Sequence, residues 1–391
     1  MISVAEALAH LFALAKPLDT EAVPLKQAGG RVLAKEAAAR RDQPPFSASA
    51  MDGYAVRDED IKPGAVLTMI GESAAGHRFD GEIKAGECTR IFTGAPLPKG
   101  ADRIVIQEDV TADGTQITIG KNLDSAHYVR AKGFDFQDGQ SVPAPRTLRP
   151  ADVALLAAMN VPDVTVTRKP KVAILSTGDE LVMPGETPND DQIIASNSFG
   201  LYAMLQSLGA EPRLLPIARD NEESLKTAFE LAGDVDLLLT IGGASVGDHD
   251  LVGKVAADLG MERAFYKIAM RPGKPLMAGR LKSGAMMIGL PGNPVSAMVC
   301  GKVFVEPVIR TMLGLGTNPA QEFTAPLAAD IKPNGPREHY MRAHLKDGQV
   351  TVFERQDSAL LSVLADANTL VIRPPNDPAR KAGEIMRCIA I

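Results

Sequence analysis

The 391-residue chain has only three cysteines, Cys88, Cys300 and Cys388, far apart and with no C-x-x-C pair. That spacing excludes a disulfide framework and a zinc knuckle, and it points to a reducing cytoplasm. Basic residues are not in excess either: 42 Lys and Arg against 48 Asp and Glu leave a net charge of −6. Broad binding to nucleic acid or to an anionic membrane needs a basic face, so neither is expected. Long apolar runs are also missing. The longest uncharged stretch, Ser283 to Gly301, carries Pro291, Gly292, Asn293 and Pro294 in its middle, which rules out a simple membrane span. The opening VAEALAHLFALA lacks a basic lead and holds Glu6 in an amphipathic pattern, so it reads as a helix and not a signal peptide. Nucleotide fingerprints are absent: GGASVG lacks the G-x-G-x-x-G spacing, and RPGKP has no Walker A glycine and no Ser or Thr after its lysine. The six histidines are scattered, and none is assigned as a catalytic base or zinc ligand.

What remains is an ordinary globular composition, 45% hydrophobic and 23% charged, in a chain long enough for two to four domains. Residues 1 to about 45 are helical in period, in VAEALAHLFALA and AGGRVLAKEAAARR. From 47 to 137 short runs such as AVLTMI, CTRIFTG and RIVIQED alternate with Gly and Pro, as in a small β domain. Pro143, Pro145 and Pro150 mark a boundary before the helix PADVALLAAMN. From Lys171 strands and helices alternate, which predicts a parallel sheet covered by helices; one helix, DNEESLKTAFELAG, can open on a capping box of Asp220 and Glu223. After about 320 the helices vanish, and YMRAHLKDGQVTVFE reads as a hairpin in a second β domain.

Ligands of open α/β sheets bind outside the carboxyl ends of the strands, near a topological switch. Three segments fall at such ends: STGDEL, IGGASVGDHD and LPGNPVS. Each should open a loop leading into a helix, whose free N–H groups favour an anion. Asp179, Glu180, Asp248 and Asp250 add carboxylates, and KIAMRPGKP adds Lys267, Arg271 and Lys274 around what reads as a hairpin turn. Carboxylates with cations and helix termini are the parts that hold a divalent metal and a phosphate together. QPPFSASAMDGYAV raises a separate point: Asp52 stands alone among small residues, which let a backbone approach a ligand closely, while the two prolines stiffen the lead-in. The plainer alternative is a turn in which Asp52 bonds only its own backbone.

In order along the chain, SAMDGYAV, IFTGAPLPKGADRIV, LSTGDEL, SNS, TIGGASVGDHD, RPGKP and GLPGNPVS closely resemble the molybdopterin molybdenumtransferase family of the MoeA type. The likeness runs from the first helix to QDSALLSVLADANTLVIRP. It implies a multidomain α/β plus β homodimer. A discontinuous helical and extended N-terminal domain (1–46 and 138–170) would carry an inserted β domain (47–137). An α/β domain akin to molybdopterin adenylyltransferases (171–319) and a C-terminal β-barrel-like domain (320–391) would follow. The implied reaction inserts molybdenum from molybdate into adenylylated molybdopterin, with Mg²⁺, and releases AMP. Docking to the molybdopterin adenylyltransferase and other proteins of the pathway is a further expectation. Two other functions remain on this fold: the preceding adenylylation of molybdopterin, and a scaffold or binding role.

Carried over by motif, the resemblance places Asp52, Thr93, Asp135, Glu180, Asp220 and Asp250 among catalytic positions, with Glu180 and Asp250 as metal ligands. Substrate-binding positions would be Arg130, Ser176, Thr177, Gly178, Gly242, Gly243, Ser245, Lys267, Arg271, Lys274, Pro291, Gly292, Asn293, Pro294 and Ser362, with Ser358 beside the last. Arg271 stands where the family usually has lysine, His249 where an aromatic is frequent, and Phe134 where a polar residue is frequent.

Overall fold

A computed structural model describes residues 1–243 and 251–391. It divides into two compact units, one of residues 1–21 and 166–391 and one of residues 22–165.

The larger unit opens on the helix Val4–Leu14. A capping box starts it: Ser3 Oγ accepts from the Glu6 amide at 3.2 Å, and Glu6 Oε2 accepts from the Ser3 amide at 2.8 Å. The α/β core is a six-stranded sheet in the spatial order Glu211–Leu214, Lys171–Ser176, Leu237–Ile241, Met286–Leu290, Met277–Arg280, Glu262–Tyr266. The first four strands are parallel, and Met277–Arg280 pairs antiparallel with both of its neighbours, Met286–Leu290 and Glu262–Tyr266. Leu237–Ile241 and Met286–Leu290 are buried along their whole length. Apart from Thr240 their sequence carries no polar side chain, as a parallel strand covered on both faces requires. One face packs Ala173, Leu175 and Leu238 against Leu225 and Ala228 of helix Glu222–Ala232 and Val252 and Val255 of helix Leu251–Asp258. Each fully buried leucine contributes about 1.5–3 kcal/mol.

Helix Glu222–Ala232 forms where the sequence predicts it, but its cap is one residue on. Asn221 accepts from the Ser224 amide at 2.8 Å, so Asp220 is not the N-cap. The loop after Lys171–Ser176 also differs from expectation. It runs first into a two-stranded ladder of Leu181–Val182 with Ile193–Ile194, and only then into helix Asn197–Ser207. The last β region is a sheet ordered Met270–Arg271, Glu338–Lys346, Thr369–Arg373, Ile385–Ala390, Glu322–Pro326, with Gln349–Val352 as the hairpin partner of Glu338–Lys346. One short helix, Leu361–Ala365, interrupts it, so helices do not vanish entirely after 320.

The smaller unit carries another six-stranded sheet, ordered Arg103–Ile106, Gly53–Val56, Glu87–Ile91, Val66–Ser73, Gln116–Ile119, Val110–Asp113. Tyr54 and Val56 pack into one apolar cluster and Ala55 into another, so its Gly53–Val56 strand is buried on both faces. AGGRVLAKEAAARR is not helical. It forms the short strands Val32–Leu33 and Ala37–Ala38, paired with Arg146–Thr147 and Ser141–Val142. Helix propensity is a weak preference of tenths of a kcal/mol per residue, and pairing with a segment a hundred residues away overrides it.

Candidate active site

Two chain crossings define the site in the α/β unit. From Lys171–Ser176 the chain goes to one neighbour, Glu211–Leu214, and then returns to the opposite neighbour, Leu237–Ile241. That reversal is the topological switch. The ends of the three strands are level, with Ser176 opposite Ile241 and Ile241 opposite Leu290. Backbone bonds continue past them. The Thr177 amide donates to the Ile241 carbonyl at 3.0 Å, and the Gly242 amide to that of Leu290 at 3.1 Å. Gly178 donates to the Ala218 carbonyl at 3.1 Å. Gly243 (φ +64°) has no room for a side chain: a Cβ there would lie 2.2 Å from Val252 Cγ2 and 3.0 Å from Thr177 Oγ1. A Cβ on Gly292 would lie 3.6 Å from Gly242 Cα, so these two loops touch. The structure thus brings together Ser176, Thr177, Gly178, Gly242, Gly243, Pro291 and Gly292.

The acids Glu180 and Asp220 are exposed at this edge. The Asp220 amide donates to Asp179 Oδ1 at 3.2 Å, and Arg219 Nη1 donates to the carbonyls of Asp179 at 3.0 Å and Leu181 at 3.3 Å. Arg219 therefore staples the Glu180 loop to the Asp220 loop, a role the sequence concealed because its acceptors are 38 and 40 residues away. Ser245 and Asp250, with Asp248 and His249, lie outside the described residues. Among the described residues no three His, Cys, Asp or Glu side chains form a complete metal site. The hard carboxylate oxygens present suit Mg²⁺, which is usually held by one or two carboxylates and completed by water and substrate phosphate.

The cationic segment is more than a turn. Glu262–Tyr266 and Met277–Arg280 pair as expected, but between them Met270–Arg271 crosses to pair in parallel with Glu338–His339. Arg271 is exposed there. Lys267 has a left-handed backbone (φ 68°) and its Nζ lies 4.7 Å from the Tyr266 ring centre. Lys274 accepts from the Ile268 amide at 3.0 Å, which folds the segment back on itself.

The PGNP loop is held from two sides. Asn197 Nδ2 donates to the Gly292 carbonyl at 2.7 Å, and Asn293 Nδ2 donates to Ser358 Oγ at 3.0 Å. The Val295 amide, beside Pro294, donates to the Ser358 carbonyl at 3.1 Å. Ser358 is thus the C-terminal serine that meets the loop; Ser362 sits in the short helix and its carbonyl accepts from the Asp366 amide. Arg342, 1% exposed, anchors the same segment, donating to the Asp357 carbonyl at 2.7 Å and to Gln356 Oε1 at 3.1 Å. Burial holds its pKa below the usual arginine value. No sequence signal marks it, since an arginine in an alternating strand reads as a solvent-facing residue.

In the smaller unit Asp52 is bound to Thr93 and not to its own backbone. Its Oδ1 accepts from the Thr93 amide and hydroxyl, 41 residues away. Those two hydrogen bonds, helped by the charge of Arg90, hold the exposed carboxyl below its ordinary pKa. Arg90 stacks between Tyr54 and Phe92, at 5.1 and 4.9 Å from their ring centres, and donates to the Gly53 carbonyl at 3.2 Å. Arg130 lies opposite Ala48 in a short ladder, and the Asp135 amide donates to the Gln43 carbonyl at 2.9 Å. Both flank the lead-in to Asp52, and neither shares a hydrogen bond or ion pair with it among the described residues.

Comparison with known proteins agrees with this architecture. Residues 2–160 match the MoeA N-terminal region (domain I and II), 173–311 a probable molybdopterin binding domain, and 324–390 the MoeA C-terminal region (domain IV). The molybdopterin molybdenumtransferase of Nostoc sp. is 36% identical over 94% of this chain and 87% of its own. That of Haemophilus influenzae is 35% identical over 94% and 93%. A crystal structure of the molybdopterin biosynthesis MoeA protein of Pyrococcus horikoshii superposes with a TM-score of 0.84, at 28% identity, and covers 100% of both chains. The class is thus a multidomain α/β transferase with a molybdopterin-type binding domain. The chain belongs to the molybdopterin molybdenumtransferase family of molybdenum cofactor biosynthesis. No helix among the described residues is long and apolar enough to cross a membrane.

Proposed function

We propose that the chain inserts molybdenum from molybdate into adenylylated molybdopterin and releases AMP, as a cytoplasmic homodimer that uses Mg²⁺. The observation that carries this reading is the convergence of the STGDEL, GG and PGNP loops at one topological switch, with the carboxylates of Glu180 and Asp220 on the adjoining loops. Glycines without side chains at such an edge let the phosphoanhydride and pterin of the substrate approach the backbone closely. Lys267, Arg271 and Lys274 offset the charge of molybdate and phosphate. Glu180 and Asp250 would hold Mg²⁺, which when bound would supply charge stabilisation for the departing AMP. Asp52, ionised and oriented by Thr93, positions the oxyanion or a water, and Arg130 and Asp135 act from the segments paired with its lead-in; Asp220 remains free to act because Asn221 caps the helix. The dimer docks to neighbouring enzymes of the pathway, such as the molybdopterin adenylyltransferase.

The test is to incubate the protein with adenylylated molybdopterin and Mg²⁺, with and without molybdate, and to follow AMP. Molybdate-dependent AMP release that Asp52→Ala abolishes is the expected result. ATP consumption with molybdopterin, and no molybdate-dependent AMP, would mean that the chain performs the preceding adenylylation instead.

A further inference from the structure

His339 occupies the middle of a cationic row. It lies opposite Arg271 on one side and opposite Arg373 on the other. Directly paired residues share one face of a sheet, with adjacent strands about 4.8 Å apart. The ends of the row differ. Arg373 is 1% exposed and ion-paired with buried Asp377. Arg271 is exposed and forms no ion pair among the described residues. Between them His339 is 6% exposed. Beyond the row itself, the charged groups that act on it are Arg342 and Arg337; Glu338, next in the chain, is bound to the Tyr340 hydroxyl, and Asp377 to Arg373 and Arg380. Burial first, and then these four guanidinium groups, push the imidazole down to about 4, so it is neutral at ordinary pH.

We infer that His339 is a positioning residue for oxyanion binding: a strand neighbour without a carboxylate, which leaves Arg271 uncommitted for the incoming anion. This rests on the reading that Arg271 contacts the oxyanion. A carboxylate at position 339 would sit one strand spacing from the guanidinium and take it as an ion-pair partner. A neutral amide would not. The distinction matters because Glu338 and Asp377 already have partners of their own.

The experiment titrates molybdate alone into the full-length protein by calorimetry and compares wild type with His339→Asn, His339→Asp and Arg271→Ala. Asn and Asp have the same size and differ in charge, so a purely structural role moves both alike. The expected result is that His339→Asn binds within about twofold of wild type while His339→Asp binds roughly tenfold more weakly, the size of one lost charge-assisted contact. In the Arg271→Ala background the Asp substitution should add nothing. Equal affinity of the Asp and Asn variants, whether both strong or both weak, would overturn the inference. Wild-type affinity in Arg271→Ala would instead overturn the reading of Arg271 on which it rests. Thermal melts of each variant identify any loss that is due to unfolding.

Discussion

Asp52 takes both hydrogen bonds that Thr93 offers through a single oxygen: Oδ1 accepts from the amide at 2.7 Å and from the hydroxyl at 2.8 Å. The other carboxylate oxygen, Oδ2, takes part in neither of these bonds. A side chain held this way is ionised and oriented without being buried.

Thr93→Val removes the hydroxyl and keeps the amide bond. The Asp52 pKa should rise towards its ordinary value, read by carbon-detected NMR titration, and AMP release should fall by roughly tenfold. A depressed carboxyl contributes stability that is present above the unfolded pKa and lost as pH falls through the folded one, so the acid limb of the stability curve should become shallower in the variant.

Gly53 is required by its neighbour and not by its backbone angles. A Cβ there would lie 2.0 Å from the Val105 carbonyl oxygen. Gly53→Ala must push two paired strands apart and should cost about 1–3 kcal/mol in urea denaturation. An unchanged midpoint would show that the sheet yields at no cost.

The cap of helix Glu222–Ala232 separates two adjacent residues. Asn221→Ala should cost about 1 kcal/mol of stability. Asp220→Ala should leave stability nearly unchanged and lower activity, since its exposed carboxylate takes no part in the cap.

Asn197 acts through the carbonyl of Gly292. Asn197→Ala frees the PGNP loop on one side while Asn293 and Val295 keep it tied to Ser358. The expected outcome is a melting temperature close to wild type with a lower kcat, read from AMP release under saturating substrate.

His339 also shapes the pH dependence of stability. Its folded pKa of about 4 lies below the ordinary 6.5, so the unfolded chain binds the extra proton first. The stability from the neutral buried imidazole is complete above about 6.5 and is lost as pH falls from there towards 4. His339→Asn should flatten that interval of the urea-midpoint profile.

Patterns carried by near neighbours were legible in the chain itself. The amphipathic opening helix, the largely apolar strands Lys171–Ser176 and Leu237–Ile241, the Pro150 helix start and the Glu338–Val352 hairpin all depend on residues a few positions apart, and all form as read. So did the placement of three glycine- and proline-bearing loops at strand ends, because alternation of strand and helix determines which ends those are. Features that depend on distant partners were not legible. The Ala-rich AGGRVLAKEAAARR became strand because Arg146–Thr147 and Ser141–Val142 were there to pair with it. Met270–Arg271 left its hairpin for the edge of another sheet, and that crossing alone sets Arg271 beside His339. The Asp52 carboxylate found Thr93 across 41 residues, and Asn293 found Ser358 across 65. Periodicity reports what a residue needs within a turn or a pleat; which distant group satisfies it is decided only when sheets and loops pack.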